Sequence, residues 1–147
     1  MTAYVLANAA AVFAGETRLR QGQNVLVVDG EIAAVGSEPI ERADAQVIDL
    51  TGLTLMPGLI DAHAHITGLS LSPKNESAGS VDRTLAATHY LHNSLMMGFT
   101  TLREAGGADF AIAQLLERGE ITGPRLFYSG RALTQTGGGG DFRCVKR

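Results

Sequence analysis

Up to Leu55 the apolar residues come in short runs broken by glycine and polar clusters, a spacing that predicts strands. Tyr4 to Leu6 begins one strand, and Val12-Phe13 continue its apolar pattern. Asn24-Val25-Leu26-Val27-Val28 and Glu31-Ile32-Ala33-Ala34-Val35 flank Asp29-Gly30. That pair is a two-residue hairpin signal, because both turn positions favour φ > 0. Val47-Ile48-Asp49-Leu50 predicts a further strand, with a turn after it at Thr51-Gly52.

From Thr54 the period changes. The run from Leu53 to Ile66 reads as a break at Pro57-Gly58, then a buried strand ending at His65 or Ile66. Thr67 to Ser80 is a polar loop rich in glycine, serine and proline. Ser80 to Met97 is predicted as a helix whose apolar stripe is Val81, Leu85, Leu91, Leu95 and Met96, with Gly98 at its C-cap. A second strand is expected over Thr100 to Arg103. Asp109 is placed to cap a second helix reaching about Arg118, with Gly119 past its end. Pro124 opens a third strand, Arg125 to Ser129. Strands alternating with helices over short links predict the α/β class, a parallel sheet covered by helices. The chain shows no internal repeat, and its one low-complexity stretch is Gly137 to Gly140.

Composition narrows the possible functions. A chain of 147 residues with 45% apolar content is that of an ordinary globular domain. A net charge of −3 and the absence of a basic face argue against nucleic acid as a partner. Arg143, Lys146 and Arg147 are too few to alter that. The single cysteine, Cys144, excludes an internal disulfide and fits a reducing compartment. No apolar run approaches the roughly 18 residues of a membrane span. The alanine-rich start has no basic residue before it and is interrupted by Asn8, so a signal peptide is not expected and a cytoplasmic location is. Asn75-Glu76-Ser77 matches a glycosylation acceptor, which carries little meaning without a secretory signal.

The chemistry begins at His63-Ala64-His65. Side chains at i and i+2 of a strand share a face, so two imidazoles there can reach one metal ion at roughly 2.0–2.1 Å. Asp61 falls on the same face. It has two readings: a carboxylate that orients a ligating imidazole, or a structural carboxylate hydrogen-bonded within the sheet.

Met56-Pro57-Gly58-Leu59-Ile60-Asp61-Ala62-His63-Ala64-His65 resembles the first-strand signature of the amidohydrolase superfamily of metal-dependent hydrolases. Gly98-Phe99-Thr100-Thr101-Leu102-Arg103-Glu104-Ala105-Gly106-Gly107 resembles the family's second strand and following loop, and the run from Gly123 to Thr134 its third. The resemblance implies a partial TIM-type (β/α)₈ barrel, about its first three βα units, over residues 56–147. Residues 1–55 would form an incomplete β-subdomain before it. Such a barrel takes about 250 residues. With 92 residues from Met56 onward, the chain is expected to be the N-terminal part of a longer enzyme.

The resemblance further implies a divalent metal, zinc foremost, with one or two ions in a complete enzyme. His63 and His65 would be ligands; the remaining ligands and the proton-shuttling aspartate would come from later strands. The implied reaction is hydrolysis of a carbon–nitrogen bond in a small molecule, an amide, cyclic amide or dipeptide, by metal-activated water. The closest branch is the imidazolonepropionase-like and prolidase-like one. The 147 residues alone contain no catalytic residue in this reading and are expected to be inactive. The alternative is a non-catalytic remnant that at most binds metal weakly.

Further candidates lie around this strand. Glu104 and Arg103 follow the second strand, as substrate contacts or as a solvated or loop-bracing ion pair. Arg131 is a weaker candidate of the same kind. Thr134 to Asp141 resembles a loop of that branch, which commonly has a histidine where this chain has Gly139. Gly139 and Asp141 are thus possible substrate contacts, or part of a plain glycine linker. His89 and His92 have an i, i+3 spacing on the first helix. His92 is expected to pack within the apolar stripe, and His89 to sit at its edge.

Overall fold

Asp29 and Gly30 take φ of 49° and 85°, the doubly left-handed turn that their sequence favours. The turn is seen in a computed structural model that describes residues 2–13, 18–67, 79–130, 133–136 and 138. It joins β2 (Arg20–Val28) to β3 (Glu31–Gly36). β1 (Ala3–Val12) pairs antiparallel with β2 on the other side. The two apolar segments expected near the start belong to one strand. Its register shifts between Leu6 and Ala9, where Asn8 adopts φ 59°, so the strand bulges instead of ending. β4 (Gln46–Asp49) and the short β5 (Thr54–Leu55) both pair parallel with β1. The order is β3-β2-β1-β4, with β5 also on β1.

Two compact units divide between Pro57 and Gly58. In the first, Ala9, Val12 and Val25 form the buried centre, and Leu6, Val27, Leu50 and Leu55 pack against it. The buried Asn24 joins the bulge to a loop. Its Oδ1 accepts from the Asn8 N–H at 2.9 Å, and its Nδ2 donates to the carbonyls of Ser37 and Glu38.

The second unit is α/β. β6 (Leu59–Ala64), β7 (Phe99–Glu104) and β8 (Arg125–Tyr128) run parallel in that order. Between them come α1 (Ser80–Met96) and α2 (Phe110–Glu117). Ala64, Ile66, Ala87, Leu91, Leu102, Ala108 and Ile112 form the core. β6 stops at Ala64, so His65 lies just past the strand instead of ending it. Gly98 follows α1 at φ 92°, the left-handed stop its type allows. Asp109 caps α2 by accepting the Ala111 N–H at 3.0 Å.

The apolar stripe of α1 departs from expectation. Leu91 is fully buried and Leu95 half-buried, yet Val81, Leu85 and Met96 are exposed. At roughly 100° per residue, Leu91, Ala87 and Ser94 share one face while Val81, Leu85, His92 and Met96 occupy the next. Packing selects the face with the smaller residues. Gly123 approaches it so closely that a Cβ there would lie 2.8 Å from the Leu91 Cβ. His92, expected inside the stripe, is therefore exposed, as is His89. No helix among the described residues is long and apolar enough to cross a membrane.

Candidate functional site

Three parallel strands bring their C-terminal ends to one edge, where Ala64 pairs with Glu104 and Glu104 with Tyr128. β6 delivers His63 to this edge, and the residue after Ala64 delivers His65. Both side chains are exposed. Their rings meet edge to face, with centroids 5.1 Å apart and planes at 82°. The Asp61 Oδ1 accepts the backbone N–H of His63 at 2.9 Å. The β6–β7 register shifts between Asp61 and Ala64, and Asp61 caps the irregular backbone there. Arg103 braces the same segment from β7 by donating from Nε to the Ala62 carbonyl at 2.8 Å.

Glu104 is the buried acid of the site, 1% exposed at the end of β7. Its Oε2 accepts the backbone N–H groups of Gly106 at 3.0 Å and Ala108 at 3.2 Å. In place of the expected ion pair, Arg103 turns to β6 and Glu104 turns to its own loop. That loop is tied to both neighbouring strand ends. Ala105 N–H donates to the Ala64 carbonyl, and Gly107 N–H to the Gly130 carbonyl, each at 2.9 Å. Gly107 sits at φ 124°, and a Cβ there would run into the Thr67 Oγ1. Glycine is needed at that position on both counts. The other carboxylate oxygen, Oε1, is buried without a hydrogen-bond partner among the described residues. It lies 4.0 Å from Nδ1 of His65. The sequence signal for this role was a carboxylate directly before Ala105-Gly106-Gly107, where a tight turn leaves amides in need of an acceptor.

An open depression of about 430 Å³ lies along these strand ends, lined by His63, Arg103, Glu104, Phe127 and Tyr128 among others. His63, Arg103 and Glu104 thus share one surface, with His65 beside it. Among the described residues no three His, Cys, Asp or Glu side chains come close enough to hold an ion together. His89 and His92, on the exposed side of α1, form no such group. Gly139 and Asp141, with Arg131, Cys144 and Asn75 to Ser77, lie outside the described residues.

Residues 46–115 match the amidohydrolase family. The chain also superposes on the crystal structure of an amidohydrolase with a TM-score of 0.86, at 42% identity over 93% of this chain and 33% of that one. The chain belongs to the amidohydrolase family. A prolidase solved in complex with N-methylphosphonate-L-proline aligns with this amidohydrolase chain at a TM-score of 0.87 and 36% identity, covering 99% of it and 36% of the prolidase. Ochratoxinase of Aspergillus niger is 32% identical over 124 residues, 80% of this chain and 26% of its own length. Enamidase of Eubacterium barkeri is 29% identical over 114 residues, 75% of this chain and 27% of its own. These relatives are amidohydrolase-family hydrolases, and the chain spans between about a quarter and a third of their length.

Proposed function

We propose that this chain supplies the opening part of a metal-dependent hydrolase that cleaves a carbon–nitrogen bond in a small molecule. Residues 56–147 are read as the first βα units of a (β/α)₈ barrel and residues 1–55 as its β-subdomain. The observation that carries the reading is the pair His63 and His65 at the C-terminal edge of parallel strands, where barrel enzymes gather their catalytic groups. Their ring centroids lie 5.1 Å apart, so the two imidazoles stand side by side at that edge. His63 and His65 would hold the ion, zinc by donor type. When bound, the metal supplies Lewis acidity, polarising the scissile carbonyl and making water nucleophilic at neutral pH. Asp61 and Arg103 hold the backbone that carries the pair. The depression over Phe127 and Tyr128 offers an apolar wall to a small substrate.

The names of the similar proteins support an amide-type substrate, and the prolidase similarity favours a dipeptide. Among the described residues the two histidines are fewer than the three protein ligands of a catalytic zinc. The 147 residues by themselves are therefore proposed to retain metal weakly and to turn over nothing. The shortfall favours a second reading, a chain that binds metal without catalysis. Antibody capture of the product from its own cells, followed by intact mass and assay, separates the two. The expected result is a mass well above 15.4 kDa and hydrolysis of Xaa-Pro dipeptides or cyclic amides, removed by a chelator and restored by zinc. A mass of 15.4 kDa without turnover would establish the second reading.

A further inference from the structure

Among the described residues Glu104 Oε1 is buried and has no hydrogen-bond partner. Its side chain is fully buried while the facing His65 is 53% exposed. A buried carboxylate oxygen without a donor is costly. Oε2 is committed to the amides of Gly106 and Ala108, so the carboxylate cannot swing away to find another donor. Of the described groups near Oε1, His65 Nδ1 is held in reach at 4.0 Å, and the His65 ring has solvent on its other side in which to move. Closing the gap to hydrogen-bond length needs a shift of roughly an ångström.

We propose that Glu104 is the positioning residue of His65: its Oε1 accepts the Nδ1–H, fixing the tautomer whose Nε2 lone pair is free for the metal. The assignment rests on the metal reading of His63 and His65. It gives Glu104 a role in ligand geometry in place of substrate contact. Carboxylates behind ligating histidines typically govern about 10–100-fold in metal affinity. The same side chain also braces the loop after β7, so the loop and the ring are held from one buried point. A proton moves in no step of this; the acid only chooses which ring nitrogen keeps its hydrogen.

The test uses the metal-free 147-residue chain with ¹⁵N-labelled histidine, read by long-range proton–nitrogen NMR at a pH where imidazole is neutral. His65 is assigned by its loss in His65→Asn. The wild-type chain is expected to show His65 mainly as the Nδ1–H tautomer. In Glu104→Gln the single amide oxygen must serve Gly106 and Ala108, which turns the NH₂ toward His65. Nδ1 then becomes an acceptor and the tautomer should reverse, while the Gly106 and Ala108 amide shifts stay in place. Zinc affinity should fall about 10–100-fold. A wild-type His65 in the Nε2–H form would overturn the proposal, whether or not the variant folds. So would an unchanged tautomer in a folded Glu104→Gln. If the tautomer reverses but zinc binds both chains equally, Glu104 keeps its positioning role and the metal reading of His65 fails instead.

Discussion

Asp61 and His63 are joined through the backbone: the carboxylate of one accepts the main-chain N–H of the other at 2.9 Å, two residues along the same strand. The bond falls where the β6–β7 register shifts, between Asp61 and Ala64. Asp61→Asn keeps an acceptor oxygen in place and is expected to leave stability nearly unchanged. Asp61→Ala removes it and should cost about 0.5–1.5 kcal/mol, the usual worth of one such bond. Urea melts of the two variants check this. Equal losses in both would show that the negative charge, and not the acceptor, matters.

Gly58 lies directly against Thr100 where β6 begins. A Cβ on residue 58 would overlap the Thr100 methyl and hydroxyl and come within 2.6 Å of its Cβ. Rotating the threonine cannot relieve contact with its own Cβ, so the backbone must shift. Gly58→Ala is expected to destabilise by about 1–3 kcal/mol. Adding Thr100→Ala should restore part of that, because most of the overlapping atoms then disappear. A double-mutant cycle gives the answer, and strictly additive losses would show that the clash is relieved elsewhere.

Elements governed by local chemistry were legible in the sequence. The Asp29-Gly30 hairpin, the Gly98 stop and the Asp109 cap each depend on one or two residues whose conformation or side-chain oxygen decides the outcome. His63 and His65 do stand side by side, the relation expected of residues i and i+2 on an extended segment, though His65 lies just past β6. Tertiary choices were not. Nothing local told α1 to bury Ala87 and Leu91 and leave Leu85 in water; the close approach of Gly123, some thirty residues later, decided it. The same holds for Glu104. Beside Arg103 in sequence it suggested an ion pair. Yet adjacent strand residues point to opposite faces, which sends one side chain inward and the other out.

The orientation of α1 gives a direct contrast. Leu91 is fully buried against Gly123 and the strands, whereas Leu85 is 57% exposed. Leu91→Ala is expected to cost about 2–5 kcal/mol, by lost burial and the cavity left behind. Leu85→Ala should fall within about 0.5 kcal/mol of the parent, as surface changes do. Chemical denaturation of the pair measures both. A large loss at Leu85 would mean that something covers that face in solution.

Asp49 carries a pH dependence whose sign follows from its neighbours. Hydrogen bonds from the Asn8 side chain at 3.0 Å and the Thr51 hydroxyl at 2.8 Å favour the ionised carboxylate and hold its pKa below the usual aspartate value. A group depressed in the folded state adds stability above its unfolded pKa and loses it as pH falls through the folded one. The contribution is therefore complete at neutral pH and disappears in the acid range below the ordinary aspartate pKa. Because Asp49 is exposed, solvent screening keeps it small. Asn8→Ala removes the largest contribution, so the Asp49 pKa should rise toward its ordinary value. Carboxyl-carbon NMR titration reads this at Asp49 itself. A titration curve that stays where it was would leave Thr51 as the sole cause of the depression.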